Sequence, residues 1–311
     1  VLGPGKAFEL LVKQLLLNIG FTEINSDGLY VFDGTAGQMI QGLGEAHNAD
    51  VLLEPPVQTP FYAYTRILIE CKDYTRRVGL NTVRSVLGLR EDINHFDIVD
   101  KRELEARRVQ RRRGLTYNFT RYYYQVALAS MSGYTIPAQK FAATHRIPLL
   151  EFNKLPFWEE FCSIIHNRDM YGYSSFRRQT DGTCYELGHM IDSISDRIAI
   201  AITNSGQMLF LYRVNNEINQ FADDYSLHWQ NRNSLWSLVS GNTEYQFQLP
   251  NSIMELWLNN SVNELDMKRN AINCKAEFFS NMVIYYQLYG RSQIKMISID
   301  REKLIEAQER L

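Results

Sequence analysis

The sequence predicts an α/β chain with a mixed sheet flanked by helices, followed by an α+β second half. Three observations carry that expectation. Apolar residues recur at helical spacing near the start and again from 80 to 96, and short runs of Val, Ile, Leu and Tyr fall between these stretches. Asp-Gly pairs and prolines separate one run from the next. Helix, three strands, helix, strand, helix, strand is an order that a layered α/β architecture accommodates.

The first element is "KAFELLVKQLLLNIGF". Phe8, Leu11, Val12, Leu15, Leu16 and Ile19 share one face, and Gly20 supplies the stop. The runs "GLYVFDG", "ADVLLE" and "YTRILIECK" read as consecutive strands, punctuated by Pro55, Pro56 and Pro60. Helical periodicity returns in "LNTVRSVLGLREDINHF". After a basic stretch, "YYYQVALAS" is a strand, "TIPAQKFAATHR" a short helix and "IPLLEF" the last strand of the first half. Between 153 and 180 the texture turns polar, which sets two domains, 1–160 and 165–311. In the second, "RIAIAITNSGQMLFLYRV" and "LWSLVSGNTEYQFQL" each predict a hairpin. A long helix uneven near its middle is expected over 252–289, and "QIKMISID" as a final strand.

Composition narrows the function classes. A net charge of -2 across 311 residues gives no global sign of nucleic-acid binding, so any such reading must rest on local clustering. Cys71, Cys162, Cys184 and Cys274 are scattered without a Cys-x-x-Cys pair, which argues against a structural zinc site and a disulfide framework and for a reducing, cytoplasmic setting. No apolar run nears the ~18 residues that span a bilayer, and no basic segment followed by an apolar core opens the chain, so no membrane partner is expected. There is no phosphate-binding Gly-x-x-x-x-Gly-Lys-Ser/Thr loop, and no Gly-x-Ser-x-Gly elbow around Ser130 or Ser132.

The chemistry-bearing stretch is "RILIECKDY". On a strand, residues two apart share a face, so Glu70 and Lys72 project together while Cys71 turns to the opposite, buried side. An acid-x-Lys tripeptide by itself means little, since roughly two arise by chance in a chain of this size. The second here, Asp266 to Lys268, lies on a predicted helix with no acidic neighbour. What sets the first apart is Asp50, which opens the preceding strand and can sit beside Glu70 across a two-strand ladder. Paired carboxylates repel unless a cation lies between them, and hard oxygen donors with open water positions suit Mg²⁺. Lys72 beside such an ion can orient or deprotonate an attacking water and stabilise charge on a phosphate. Glu9, on the first helix, is a candidate fourth member, the plainer account being an i to i+4 pair with Lys13.

A helix with Glu9, a strand with Asp50, a strand with Glu70-Cys71-Lys72 and a following helix resemble the PD-(D/E)xK nuclease superfamily, within it the Mrr-like restriction endonucleases. "RRVGLNTVRSVLG" stands where that family has a V-G-x-x-x-V-R helix. "VALASMSGYTIPAQKFAATHRIPLLEF" matches its later strand, hydroxyl-rich turn, Phe-Ala helix and short strand. The resemblance covers about residues 6–152. It implies a restriction endonuclease-like core, Asp50 and Glu70 as metal ligands with the Cys71 backbone carbonyl, Lys72 as the catalytic lysine, and Mg²⁺ as cofactor with Mn²⁺ able to substitute. Ala49 stands where the family has proline, and an insertion occupies about 100–121.

That insertion holds seven Lys and Arg against two Glu over residues 101–113. If helical, it puts Arg107, Arg108, Arg111 and Arg112 on one face, with Arg113 adjoining, as a stripe able to neutralise backbone phosphates. Tyr117, Phe119, Tyr122 and Tyr123 could stack on bases, although aromatics beside a strand are more often core. His47 near Asp50 and His145 at a helix end have ordinary structural explanations.

The expectation is therefore a metal-dependent DNA endonuclease, a restriction or antiphage defence effector working as a dimer, a higher homo-oligomer or part of a defence complex. The alternatives are a non-catalytic member of the same fold that binds nucleic acid or a partner, and a nuclease for RNA or branched DNA.

Overall fold

A computed structural model describes residues 4–35, 37–58, 63–96, 121–155, 157–159, 189–194, 197–204, 207–215, 220–230, 235–250 and 261–311, together with residues 102, 105, 109, 162 and 254. The architecture is mixed α/β.

Helix α1 (Pro4–Ile19) follows from its stripe: Phe8, Leu11, Val12, Leu15, Leu16 and Ile19 are all buried. Gly20 ends it in the left-handed region at φ 112°, with its N–H on the Leu17 carbonyl and that of Phe21 on Leu16. Strand β1 (Thr22–Glu23) leads into a small antiparallel meander of β2 (Val31–Gly34), β3 (Gly37–Gln41) and β4 (Ala46–Asn48). Then come β5 (Val51–Glu54), β6 (Tyr64–Lys72), α2 (Leu80–His95), β7 (Tyr122–Ser130), α3 (Ile136–Thr144) and β8 (Leu149–Glu151). The main sheet runs β1-β5-β6-β7-β8. Its first three strands are antiparallel neighbours and β6, β7 and β8 are parallel, so the sheet is mixed.

Period-two alternation gives that sheet two apolar faces. Val51, Leu53, Ile67, Ile69, Ala127 and Ala129 pack toward α1. Leu52, Leu68, Val126 and Leu128 pack toward α2 and α3. The first of the three expected strand runs does not join this sheet. Residues 31–34 pair instead with β3 in the meander, whose other two strands are too short and glycine-interrupted to read from pattern.

The second half is one antiparallel sheet of β9 (Ile198–Thr203), β10 (Met208–Arg213), β11 (Tyr225–Trp229), β12 (Leu235–Ser240), β13 (Thr243–Gln248), β14 (Asn281–Leu288) and β15 (Arg291–Ser298), ordered β11-β12-β13-β10-β9-β14-β15. Helices α4 (Glu264–Phe278) and α5 (Arg301–Glu309) pack on each other. Both expected hairpins are present. The expected helix over 252–289 is not continuous. Its second part, "NMVIYYQL", is β14, paired on one side with β9 and on the other with β15. Val283, Ile284, Tyr285 and Tyr286 favour a pleated surface, and two flanking partners decide the ambiguity that a short apolar run leaves open.

The two sheets share a core. Ile198, Ile200, Met208 and Tyr285 belong to the same buried cluster as α1. Phe21 lies 5.6 Å from Tyr285, and Phe152 lies 5.1 Å from both Phe8 and Phe210, ring centre to ring centre. A side chain at Gly20 would collide with Ser292 of β15, so that glycine serves both a helix stop and a close approach between the halves. Among the described residues, no helix is long and apolar enough to cross a membrane.

Candidate active site

Val51 pairs with Ile69 in the antiparallel β5–β6 ladder, so Asp50, one residue before β5, falls opposite Glu70. Alternation then sorts the motif. Glu70 and Lys72 lie on the α2 face with Leu68, while Cys71 packs with Ile67 and Ile69 on the α1 face, half-buried.

Hydrogen bonds fix these groups. The Cys71 backbone N–H donates to Asp50 Oδ2 at 2.9 Å, tying the acid to the neighbouring strand. Asn48, two residues earlier, directs its Nδ2 at Asp50 Oδ1 across 3.4 Å, and its own Oδ1 is buried with no hydrogen-bond partner among the described residues. Lys72 Nζ lies 2.9 Å from Glu70 Oε2, with their side chains 23% and 16% exposed. Glu9 arrives from α1, on the other side of the sheet, and pairs with Lys6 at 2.5 Å. Lys13, the simpler partner expected for it, is held by Glu23 at 2.6 Å.

The electrostatics mark the carboxylates as crowded. Burial pushes the Glu70 carboxyl above its ordinary range and Asp50 opposite adds to the effect, while Lys72 works against it. Burial likewise raises Glu9, and the fields of Asp50 and Glu70 reach it; the bond from Lys6 opposes both. Burial alone would lower Lys72, but the bond to Glu70 and the charges of Glu70 and Asp50 outweigh it, so the ammonium is held more firmly than usual. The Cys71 thiol is pushed well up by burial and by the surrounding acids, which removes it as a nucleophile.

Glu70 and Lys72 open into a cleft of about 350 Å³. His47 and Asn48 of β4 form one wall, and Thr82, Ser85, Gly88 and Leu89 of α2 form the other. His47 Nε2 lies 2.7 Å from Asp92 Oδ2, and the Gly44 N–H donates to the same carboxylate, so the histidine braces the meander against α2. A Cβ added at Gly88 would meet nothing within 4 Å.

Around the site, Lys72, Ser130 and Glu151 are register neighbours at the ends of three parallel strands. Ser130 donates to the Gly133 carbonyl and Ser132 to that of Arg76, so both hydroxyls are spent on the turn. Glu151 pairs with Lys154 at 2.9 Å and accepts from Gln139. Of the basic insertion, Arg107, Arg108, Arg111, Arg112 and Arg113 lie outside the described residues, as do Tyr117 and Phe119. Tyr122 is engaged by the protein itself, with the Arg66 guanidinium 3.4 Å from its ring centre; Tyr123 is 45% exposed. His145 packs at a tilt against the Phe141 ring at the end of α3.

No family profile and no curated protein matches the chain. A solved structure described as a protein of unknown function, AF1548, is similar over 60% of this chain and 98% of its own, at 14% identity and a TM-score of 0.32.

Among the described residues, no three His, Cys, Asp or Glu side chains converge on one point. Mg²⁺ typically keeps several waters and takes only one or two carboxylates from the protein, so an opposed Asp50–Glu70 pair beside an open cleft suits its chemistry.

Proposed function

We propose that the chain is a metal-dependent endonuclease that hydrolyses phosphodiester bonds in DNA, with a restriction endonuclease-like first half. The observation that supports it most is the opposition of Asp50 and Glu70 with Lys72 on the same face, where Glu70 and Lys72 border a cleft. Asp50, Glu70 and the Cys71 carbonyl would hold Mg²⁺ or Mn²⁺, with Glu9 as an outer member. When bound, the ion supplies Lewis acidity and an activated water for attack on phosphorus.

The chain's own groups do the rest. Asp50 is pre-positioned by the Cys71 N–H and by Asn48, so little reorganisation is needed as charge gathers. Lys72 is held as an ammonium, which suits it to stabilise negative charge on the phosphate rather than to accept a proton. The Arg107–Arg113 stretch would add salt-dependent contacts to the DNA backbone. Because one such site cuts one strand, double-strand cleavage calls for a dimer, a larger homo-oligomer or a defence complex.

The test is nicking of supercoiled plasmid by the intact chain with Mg²⁺, beside Lys72→Ala. Conversion to nicked or linear forms by the parent alone is expected, with the variant slowed about 100-fold or more. Equal cleavage by both overturns the assignment of Lys72.

A further inference from the structure

The second half carries a groove of about 700 Å³ between α4, α5 and the end of β11. Lys268 and Lys275 line it from α4, Lys303 from α5 and Arg310 from just past its end, and His228 and Trp229 from β11. In a chain whose net charge is -2, four cations face this groove with Glu306 as the acid among its lining residues.

Two of the four are already engaged. Lys268 pairs with Glu264 at 3.1 Å and Arg310 with Glu306 at 3.2 Å, both on the exposed rim. Lys275 differs. It is half-buried, and neither its ammonium nor that of the exposed Lys303 has a hydrogen-bond or ion-pair partner among the described residues. A partly desolvated ammonium without a counter-charge is costly, and burial accordingly weakens the hold of Lys275 on its proton. A ligand that brings the missing anion would recover that cost. Ammonium groups act as point charges for phosphate, and Trp229 and His228 add flat surface on which a base can stack. The groove volume falls within the range of small-ligand and cofactor sites.

We propose that this groove binds a nucleotide, its phosphate on Lys275 and Lys303 and its base against Trp229 and His228. The site is separate from Asp50, Glu70 and Lys72 and does not depend on their role. The nucleotide is either free or one unit of a single strand, and two probes separate these sources.

The intact chain is titrated in EDTA with ATP and with a fluorescein-labelled thymidine oligomer of about 12 nucleotides. At least one is expected to bind, and Lys275→Met to weaken that probe roughly tenfold while the melting temperature holds or rises, since a strained charge has been removed. Loss of ATP binding identifies a free-nucleotide site, and loss of the oligomer alone identifies a strand-tracking groove. Lys303→Gln, on the exposed helix, keeps the test open if Lys275→Met does not fold, with weakening of several-fold expected. Binding of neither probe, or unchanged affinity in both variants, overturns the proposal.

Discussion

Asp50 and Glu70 face each other across the β5–β6 ladder, and Glu70 is ion-paired with Lys72, 2.9 Å away. Burial and Asp50 together outweigh that cation and leave the Glu70 carboxyl raised. Glu70→Gln is therefore expected to stabilise the metal-free protein by about 1 kcal/mol, or ~2 °C in a chain of this size, while abolishing nicking. Thermal melts in EDTA beside a plasmid assay check both halves. A lower melting temperature would show that the Lys72 pairing dominates.

The same shifts fix a pH dependence. Glu9 and Glu70 hold their protons more tightly in the folded chain than at their ordinary value of 4.5. Their stabilising contribution is complete below that value and is lost as pH rises through the raised one. A divalent cation needs the deprotonated forms. Addition of MgCl2 should thus raise the melting temperature more at pH 8 than at pH 5, and a gain independent of pH would argue against carboxylate ligation.

Cys71 contributes its backbone to the site and its side chain to the core. Cys71→Ala should keep nicking within about threefold of the parent while costing roughly 1 kcal/mol of stability. Alkylation of Cys71 at pH 8 should be slow in the folded chain, because burial holds the thiol protonated.

Gly88 weakens α2 without any protein atom needing the space it leaves. Gly88→Ala should stabilise the chain by up to about 1 kcal/mol through helix propensity. Gly88→Leu should leave the fold intact but fill the cleft beside Glu70 and Lys72, lowering nicking at least tenfold. Equal rates for the Ala and Leu variants would show that substrate does not enter there.

Phe152 is fully buried and touches Phe8, Trp158 and Phe210, joining elements of both halves. Phe152→Ala should cost about 3–5 kcal/mol and lower a single unfolding transition rather than one of two. Calorimetry distinguishes these outcomes.

Local pattern made much of this legible. The stripe of α1, the apolar run of β6 and the Thr-Ile-Pro start of α3 each carry their own signal. The opposition of Asp50 and Glu70 was readable because it needs only two adjacent strands and an even count. What sequence hid depends on distant partners. Asp92 meets His47 across 45 positions, and β14 becomes a strand because β9 waits beside it. Asn48 stands only two residues before Asp50, but a polar residue near a turn carries no mark of its own.

The buried side of β6 has a consequence for how the site tolerates change. Ile67, Ile69 and Cys71 lock the phase of the strand against α1. Deleting or inserting one residue between Ile67 and Glu70 would swap the faces, sending both charges into oil and offering a thiol to the cleft. Such a slip would be rejected by the core before it could be judged by activity. The apolar residues that never meet substrate thus act as the reading frame of the charged ones that would.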